Sequence, residues 1–437
     1  MEKRVLKTLV IEPNSKIEQI YHVNLHVYAG LEVESKKEIK DALSLLDEKH
    51  FDLVITRSSL KNSKWAQSVF EKIESLKKKT KIIVIGDGPY PPNVTVITGS
   101  LDLKEVIKSS AQLLGITAQA MVSKKVNDFF SIPLDYFELI ETPVVDIYWK
   151  DQNNYDLIFP RDKKIDFSSY KNPELGKFLY VNKLDRLKMV NQISQEIIST
   201  IDEKDLNNDE QLQALESNMD VLSKRLMAVG INEATIAMAE KNISAMKNNV
   251  KKNKKLSDLL DRLTKNRSSY LFTHNQIATY VALHIVKNID WGSPEQEDKV
   301  AFICFFHDIL LETDAQAMIQ DNEELKSSEI SSREKALVEK HAQLAAEMIC
   351  KFPHAPMGAD QIIKTHHGSL NGVGFSDHYG ANLSPMAIVF IVAEEFTRHV
   401  IKSSGNPQKA HILKELRVKF TANRMKKVVD VLENITI

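Results

Sequence analysis

The sequence predicts a multidomain chain: an α/β doubly wound domain, a small β-rich module, a helical linker and an all-α domain. Three observations predict it. Short apolar runs alternate with amphipathic stretches over residues 1–118, and aromatic and β-branched runs take over across 119–185. From residue 186 onward apolar residues recur at helical spacing, and ten of the thirteen histidines lie at or after His274. That clustering directs the search for chemistry to the all-α part.

Composition narrows the class. A chain of 437 residues has length for several cores. Hydrophobic residues make up 43%, charged residues 27%, and the formal net charge is −1, as expected of a globular protein without wholesale attraction to nucleic acid. No DNA partner is expected. No apolar run approaches the length of a membrane span, and the N-terminus lacks the apolar core of a signal peptide, so neither membrane insertion nor export is expected. With only two cysteines, Cys304 in an apolar run and Cys350 at a helix end, both are expected to be buried thiols in a reducing cytoplasm.

Within residues 1–118, T-L-V-I-E-P, L-E-V-E-S, F-D-L-V-I-T-R, T-K-I-I-V-I-G-D-G and N-V-T-V-I-T-G-S read as strands. The amphipathic segments between them read as helices, which implies a parallel sheet covered on both faces. The pattern resembles a response-regulator receiver domain. Its chemistry is missing: Glu12–Pro13 stands where that family has an acidic pair, and Arg57 where it has the phosphoacceptor aspartate. Gly86 and Gly99–Ser100 stand at its Ser/Thr and lysine positions. Asp52 begins a strand and Asp87 is the remaining acidic candidate. Without an aspartate nucleophile and magnesium-binding carboxylates, phosphorylation has no chemical basis, so this part is expected to be a pseudo-receiver offering a surface to signalling proteins.

Residues 119–185 hold P-V-V-D-I-Y-W-K, Y-D-L-I-F-P-R-D and G-K-F-L-Y-V, separated by polar turns such as D-Q-N-N. They are expected to form the β-rich module, and they resemble a sensory segment that often precedes HD-GYP domains. Residues 186–262 are expected to be helical linker, with one long helix stopping at Gly230 and another starting at Asn232. Such helices would either form a homodimer stalk or pack on the next domain.

Residues 263–437 carry the candidate site. His274 lies in an apolar helical pattern, and His307–Asp308 follows the apolar F-I-C-F-F. A carboxylate there is costly unless a cation or hydrogen bonds compensate, and adjacent His–Asp on a helix can serve two metals with the aspartate bridging. His341 is expected near the start of the helix H-A-Q-L-A-A-E-M-I. His366–His367 ends another helix before the glycine-rich G-S-L-N-G-V-G-F-S, and Glu394 sits in the apolar M-A-I-V-F-I-V-A-E-E-F. Imidazoles and carboxylates in this number suit divalent transition metals: iron or manganese foremost, with zinc also compatible.

These motifs in this order resemble the HD superfamily, and specifically its HD-GYP branch of cyclic di-GMP phosphodiesterases. The family's H-D-x-G-K stands as H-D-I-L-L, its H-H-E-x-x-D-G-x-G-Y-P as H-H-G-S-L-N-G-V-G-F-S, and its R-P-Y-x-x-A as N-P-Q-K-A. The resemblance implies a two-metal hydrolase of cyclic di-GMP with ligands His274, His307, Asp308, His341, His366, His367 and Glu394, and Asp308 catalytic as the bridge. Tyr270 stands where some members carry an extra glutamate, so two ions are implied rather than three. Leu311 replaces the family's phosphate-holding lysine, a contact worth roughly 1.5–3 kcal/mol. Lys409 is the expected replacement, both catalytic and substrate-binding, with Lys364, Asn371, Gly372 and Gly374 as further substrate contacts. The rival expectation is a catalytically inactive nucleotide sensor or protein-interaction module. An HD enzyme for another phosphoester stands third.

Overall fold

The computed structural model describes residues 4–59, 64–97, 99–117, 128–151, 154–166, 177–201, 204, 206–376, 379, 382–403 and 407–437. The turn residues 152–153, Asn406 of N-P-Q-K-A and the expected boundary at 118/119 lie outside the described residues. The described chain divides into two compact units, Met1–Ser217 and Asn218–Ile437.

The first unit opens with a parallel sheet of β1 (Lys7–Ile11), β2 (Glu32–Lys36), β3 (Leu53–Arg57), β4 (Lys81–Ile85) and β5 (Val94–Ile97), in the order β2-β1-β3-β4-β5. Strand alternation sorts its side chains into two cores. Val10, Leu53, Ile55, Ile83 and Ile85 face the core that includes Ile17 and Ile20 of α1 (Ser15–Asn24) and Val106 of α4 (Leu103–Leu113). Leu9, Ile11, Val54, Ile82 and Val84 face α2 (Ile39–Glu48) and α3 (Trp65–Ser75) on the other side. This is the doubly wound arrangement expected. One alternation fails: residues 86–93, between β4 and β5, contain no helix, because Pro89, Pro91 and Pro92 withhold backbone donors.

At the carboxyl end of β3, Arg57 donates to both Glu12 oxygens, at 2.7 and 3.1 Å, and also pairs with Glu210. Ser100 Oγ donates to Glu210 at 2.6 Å. A half-buried guanidinium thus sits between two buried carboxylates at this end of the sheet. Asp52 lies at the opposite end of the strand, accepting from Lys7 N at 2.9 Å.

The β-rich module is an antiparallel sheet of β6 (Phe129–Pro133), β7 (Ile147–Asp151), β8 (Asn154–Phe159) and β9 (Phe178–Asn182), in the order β6-β9-β7-β8. Its Ile132, Ile147, Leu179 and Val181 share a core with Met189, Val190 and Ile193 of α5 (Arg186–Ser199). The next helix, α6 (Asn208–Val229), contains the division between the units.

The second unit is helical among its described residues. It comprises the rest of α6, α7 (Glu233–Lys252), α8 (Leu256–Lys265), α9 (Tyr270–Asn288), α10 (Pro294–Phe306), α11 (Asp314–Ala317), α12 (Asn322–Ser327), α13 (Ser332–Ile349), α14 (Ala359–Lys364), α15 (Pro385–Lys402), α16 (Lys409–Lys419) and α17 (Asn423–Val431). Asn232 begins α7 through a capping box with Thr235. Helix α9 is buried on nearly every face from Phe272 to Val286, which makes it the central helix. Among the described residues no helix is long and apolar enough to cross a membrane. Cys304 is buried as expected, but Cys350 is exposed because it caps the end of α13 rather than continuing its buried stripe.

Candidate metal centre

Three helices and two helix-end turns deliver the candidate ligands. His274 comes from the first turns of central α9, and Glu394 from the middle of α15. Helix α10 ends at Phe306, so His307 is its C-cap and Asp308 opens the following turn, closed by Leu311 N to Asp308 O at 2.9 Å. The expected helical His–Asp pair is therefore a helix-end pair. Two neighbours within a helix would diverge by roughly 100°, whereas the turn lets both face inward. His341 is mid-helix, not near a start: Ser331 caps α13 in a capping box with Glu334, and that stronger signal lies upstream. His366 and His367 follow α14, with Gly368 at φ +79° turning the chain away.

The same orienting device occurs three times. Nδ1 of His307 meets the carbonyl of Cys304 at 3.0 Å, Nδ1 of His341 that of Val338 at 2.5 Å, and Nδ1 of His366 that of Ile363 at 2.6 Å. A carbonyl only accepts, so each Nδ1 carries the proton and each Nε2 presents a lone pair. Those lone pairs converge. His307 Nε2 lies 3.3 Å from His274 Nε2, His341 Nε2 3.4 Å from His366 Nε2, and His367 Nε2 3.2 Å from His341 Nε2. Lone pairs facing one another at such range repel unless protons or a cation lie between them.

The carboxylates occupy the same space. Asp308 Oδ1 is 3.2 Å from His341 Nε2 and 3.8 Å from His366 Nε2, and its Oδ2 is 3.3 Å from His307 Nε2. Glu394 reaches His274 Nε2 at 2.9 Å and His307 Nε2 at 3.5 Å. Asp308 Oδ1 and Glu394 Oε1 are nonetheless buried without a hydrogen-bond partner. Buried orphan oxygens beside converging imidazoles are the pattern a metal satisfies. The ligand atoms form two groups, Asp308–His341–His366–His367 and His274–His307–Asp308, each within 4.8 Å, and Asp308 belongs to both. These buried His and Asp groups could hold a metal ion.

Electrostatics prepare most of the set. Burial would raise the Asp308 carboxyl, but His307 and His341 outweigh it and hold the group well below its usual range. Burial likewise opposes ionisation of Glu394, yet His274 and His307 pull its carboxyl down. Burial, reinforced by His341 and His307, drives His366 down to about 3, and His367 falls well below its usual value for similar reasons. These imidazoles are neutral, as ligation requires. His307 differs: burial would lower it, but Asp308 and Glu394 prevail and push it up to about 9.

The expected substrate contacts are not gathered with the ligands. Lys409 Nζ donates to the carbonyls of Glu433 at 2.9 Å and Ile435 at 3.1 Å, and it lines a separate cavity with Ser257 and Asn434. Asn371 Oδ1 accepts from Ser369 Oγ and Val373 N, which commits it to shaping its own loop. Gly372 and Gly374 dock that loop on α13, where Gln343 N donates to Gly372 O and Gly374 N donates to Glu339 O. A Cβ on Gly372 would meet Lys364 Cγ at 2.9 Å, so Lys364 supports the loop's underside.

Three of the departures noted in the sequence share one place. Leu311 is 3% exposed in an apolar cluster with Ala317, Ile319 and Val338, against which Tyr270 and Phe375 pack. Phe375 also contacts the His367 ring at 4.6 Å between centroids. The centre opens into a cleft of about 90 Å³ lined by His366, His367, Glu394 and Phe375 together with Arg398 and Lys419. Sequence reasoning missed those two cations. Arg398 stands one turn after Glu394 on α15, whose residues from Met386 to Thr397 are otherwise buried, and that spacing is the signal that was available for it.

Fold and site define a class: a chain with a parallel α/β sheet, a small antiparallel sheet and a helix-rich region holding a buried histidine–carboxylate centre suited to metal. Among solved structures it is similar to Bd1817, a HDG"Y"P protein from Bdellovibrio bacteriovorus, at 16% identity over 70% of this chain and 100% of that one, with a TM-score of 0.37. No family model matches the chain, and no curated protein matches it.

Proposed function

We propose that the helical unit is a metal-dependent phosphodiesterase acting on cyclic di-GMP. One observation carries the metal part of the reading: His307, His341 and His366, each held by the carbonyl three residues earlier, aim their Nε2 atoms at the buried Asp308 carboxylate. The substrate class rests on the order and content of the histidine motifs in the sequence. In this reading His274, His307 and Glu394 would hold one divalent ion and His341, His366 and His367 a second, with Asp308 available to both sets. Bound ions supply Lewis-acid stabilisation of phosphoryl charge and a water made acidic near neutral pH. The chain's own part is to hold Asp308 and Glu394 anionic and His366 and His367 neutral, to pack Leu311 and Tyr270 in an apolar cluster beside them, and to leave the cleft open. Iron or manganese suits this mixed donor set, and zinc is compatible. The pseudo-receiver, the β-rich module and the linker are proposed to regulate the unit and to meet protein partners or a second copy of the chain.

The test is metal content of anaerobically purified full-length protein, with cyclic di-GMP hydrolysis measured on addition of Fe²⁺ or Mn²⁺. Two ions per chain and linear product are expected, and Asp308→Asn should lose metal and product together. A metal-free protein indifferent to the dinucleotide would end the reading. The rival, a silent nucleotide sensor, draws on the burial of Leu311 where a lysine was expected. It is favoured if cyclic di-GMP binds the metal-loaded protein without turnover.

A further inference from the structure

We infer that Arg398 and Lys419 form a cationic wall that holds a phosphate group of the ligand beside the metal centre, an inference that rests on the phosphoester reading above. Both line the cleft that His366, His367 and Glu394 open into. Glu394 and Arg398 stand four residues apart on α15, so a ligating carboxylate and a guanidinium occupy one helix face. Lys419 arrives from the end of α16.

Glu395 fixes them both. Its Oε1 accepts from Arg398 Nη2 at 3.2 Å and its Oε2 pairs with Lys419 Nζ at 2.8 Å, while His399 Nε2 lies 3.4 Å from Oε1. One carboxylate thus holds two permanent cations side by side on the cleft wall. Asp321 also lines the cleft, yet its Oδ1 is engaged in capping α12 through Glu323 N and Glu324 N.

The donors are not exhausted by these contacts. A guanidinium has several N–H groups in a fork that fits phosphate, and among the described residues Arg398 shows one hydrogen bond. Side-chain exposures of 22% for Arg398 and 31% for Lys419 leave both heads open to the cleft. Leu311 and Tyr270 pack in an apolar cluster with Phe375, which also lines the cleft and adds no charge to it.

The test titrates inorganic phosphate into full-length protein loaded with Mn²⁺, comparing Arg398→Gln, Lys419→Gln, Arg398→Lys and Lys402→Gln. Lys402 is a neighbouring cation paired with Glu324 and serves as the charge control. The two glutamine variants should each weaken phosphate binding about ten- to a hundredfold, the range of one charge-assisted contact. Metal content and unfolding midpoint should not change, Arg398→Lys should recover part of the loss, and Lys402→Gln should behave as wild type. Phosphate binding that is absent from wild type, unchanged in both glutamine variants, or equally weakened by Lys402→Gln overturns the wall. If wild type fails to hydrolyse cyclic di-GMP but binds phosphate through these residues, the substrate reading falls and the wall stands.

Discussion

Restoring the lysine at position 311 separates two accounts of why it is absent. If Leu311 merely vacates a live phosphate site, Leu311→Lys should be tolerated and should speed turnover. The structure predicts otherwise. Leu311 is 3% exposed among Ala317, Ile319 and Val338, with Tyr270 and Phe375 closing over it. Removing the leucine forfeits about 1.5–3 kcal/mol of apolar burial, part of which the lysine stem recovers. The ammonium decides the outcome: a fully buried amine is shifted by about 3–5 pKa units, which amounts to roughly 4–7 kcal/mol against folding. A domain stable by about 5–15 kcal/mol would lose a large share of its margin. Urea titration of metal-loaded full-length protein should show Leu311→Lys with a much lower midpoint and no gain in cyclic di-GMP turnover, while Leu311→Met should stay within about 1.5 kcal/mol of wild type. A lysine variant as stable as wild type and faster in turnover would refute the view that this flank is closed.

Two further outcomes follow from the charged clusters. His307 is protonated up to about pH 9 in the metal-free protein, because Asp308 and Glu394 outweigh its burial. A metal must displace that proton, so affinity for Mn²⁺ should climb with pH by about tenfold per unit between 6.5 and 9, with proton release seen by calorimetry in buffers of different ionisation heat. The metal-free protein alone should lose stability over the same window, since a raised histidine pKa stabilises below the unfolded value and is lost as pH passes the folded one; a flat profile in both experiments would contradict the assignment. In the first unit, Arg57→Ala leaves Glu12 and Glu210 buried without their shared cation, and should cost about 3–5 kcal/mol of unfolding free energy. A loss under about 1 kcal/mol would show that the triad is no more than a surface pair.

Much of the secondary structure is legible because its signals are local. Val10 and Leu9 face opposite cores for no reason beyond strand alternation, and Asn232 with Thr235 announces a helix start within four letters. The misjudged elements are places where a second local signal prevails. Ser331 with Glu334 starts α13 well before His341. Cys350 looks buried by its neighbours yet is exposed, since a helix end breaks the periodicity that would have hidden it.

The sequence by itself determined which residues could bind metal, their order along the chain, and the helices or helix ends that carry them. Only the tertiary structure decided which lone pairs converge, because His274 and Glu394 meet through the packing of α9 against α15. It decided that Lys409 faces the carbonyls of Glu433 and Ile435, whereas Arg398 and Lys419 line the cleft beside the histidines. The physical reason is that periodicity encodes which face of an element is buried, while the neighbour that covers that face is chosen by shape and charge between elements far apart in the chain.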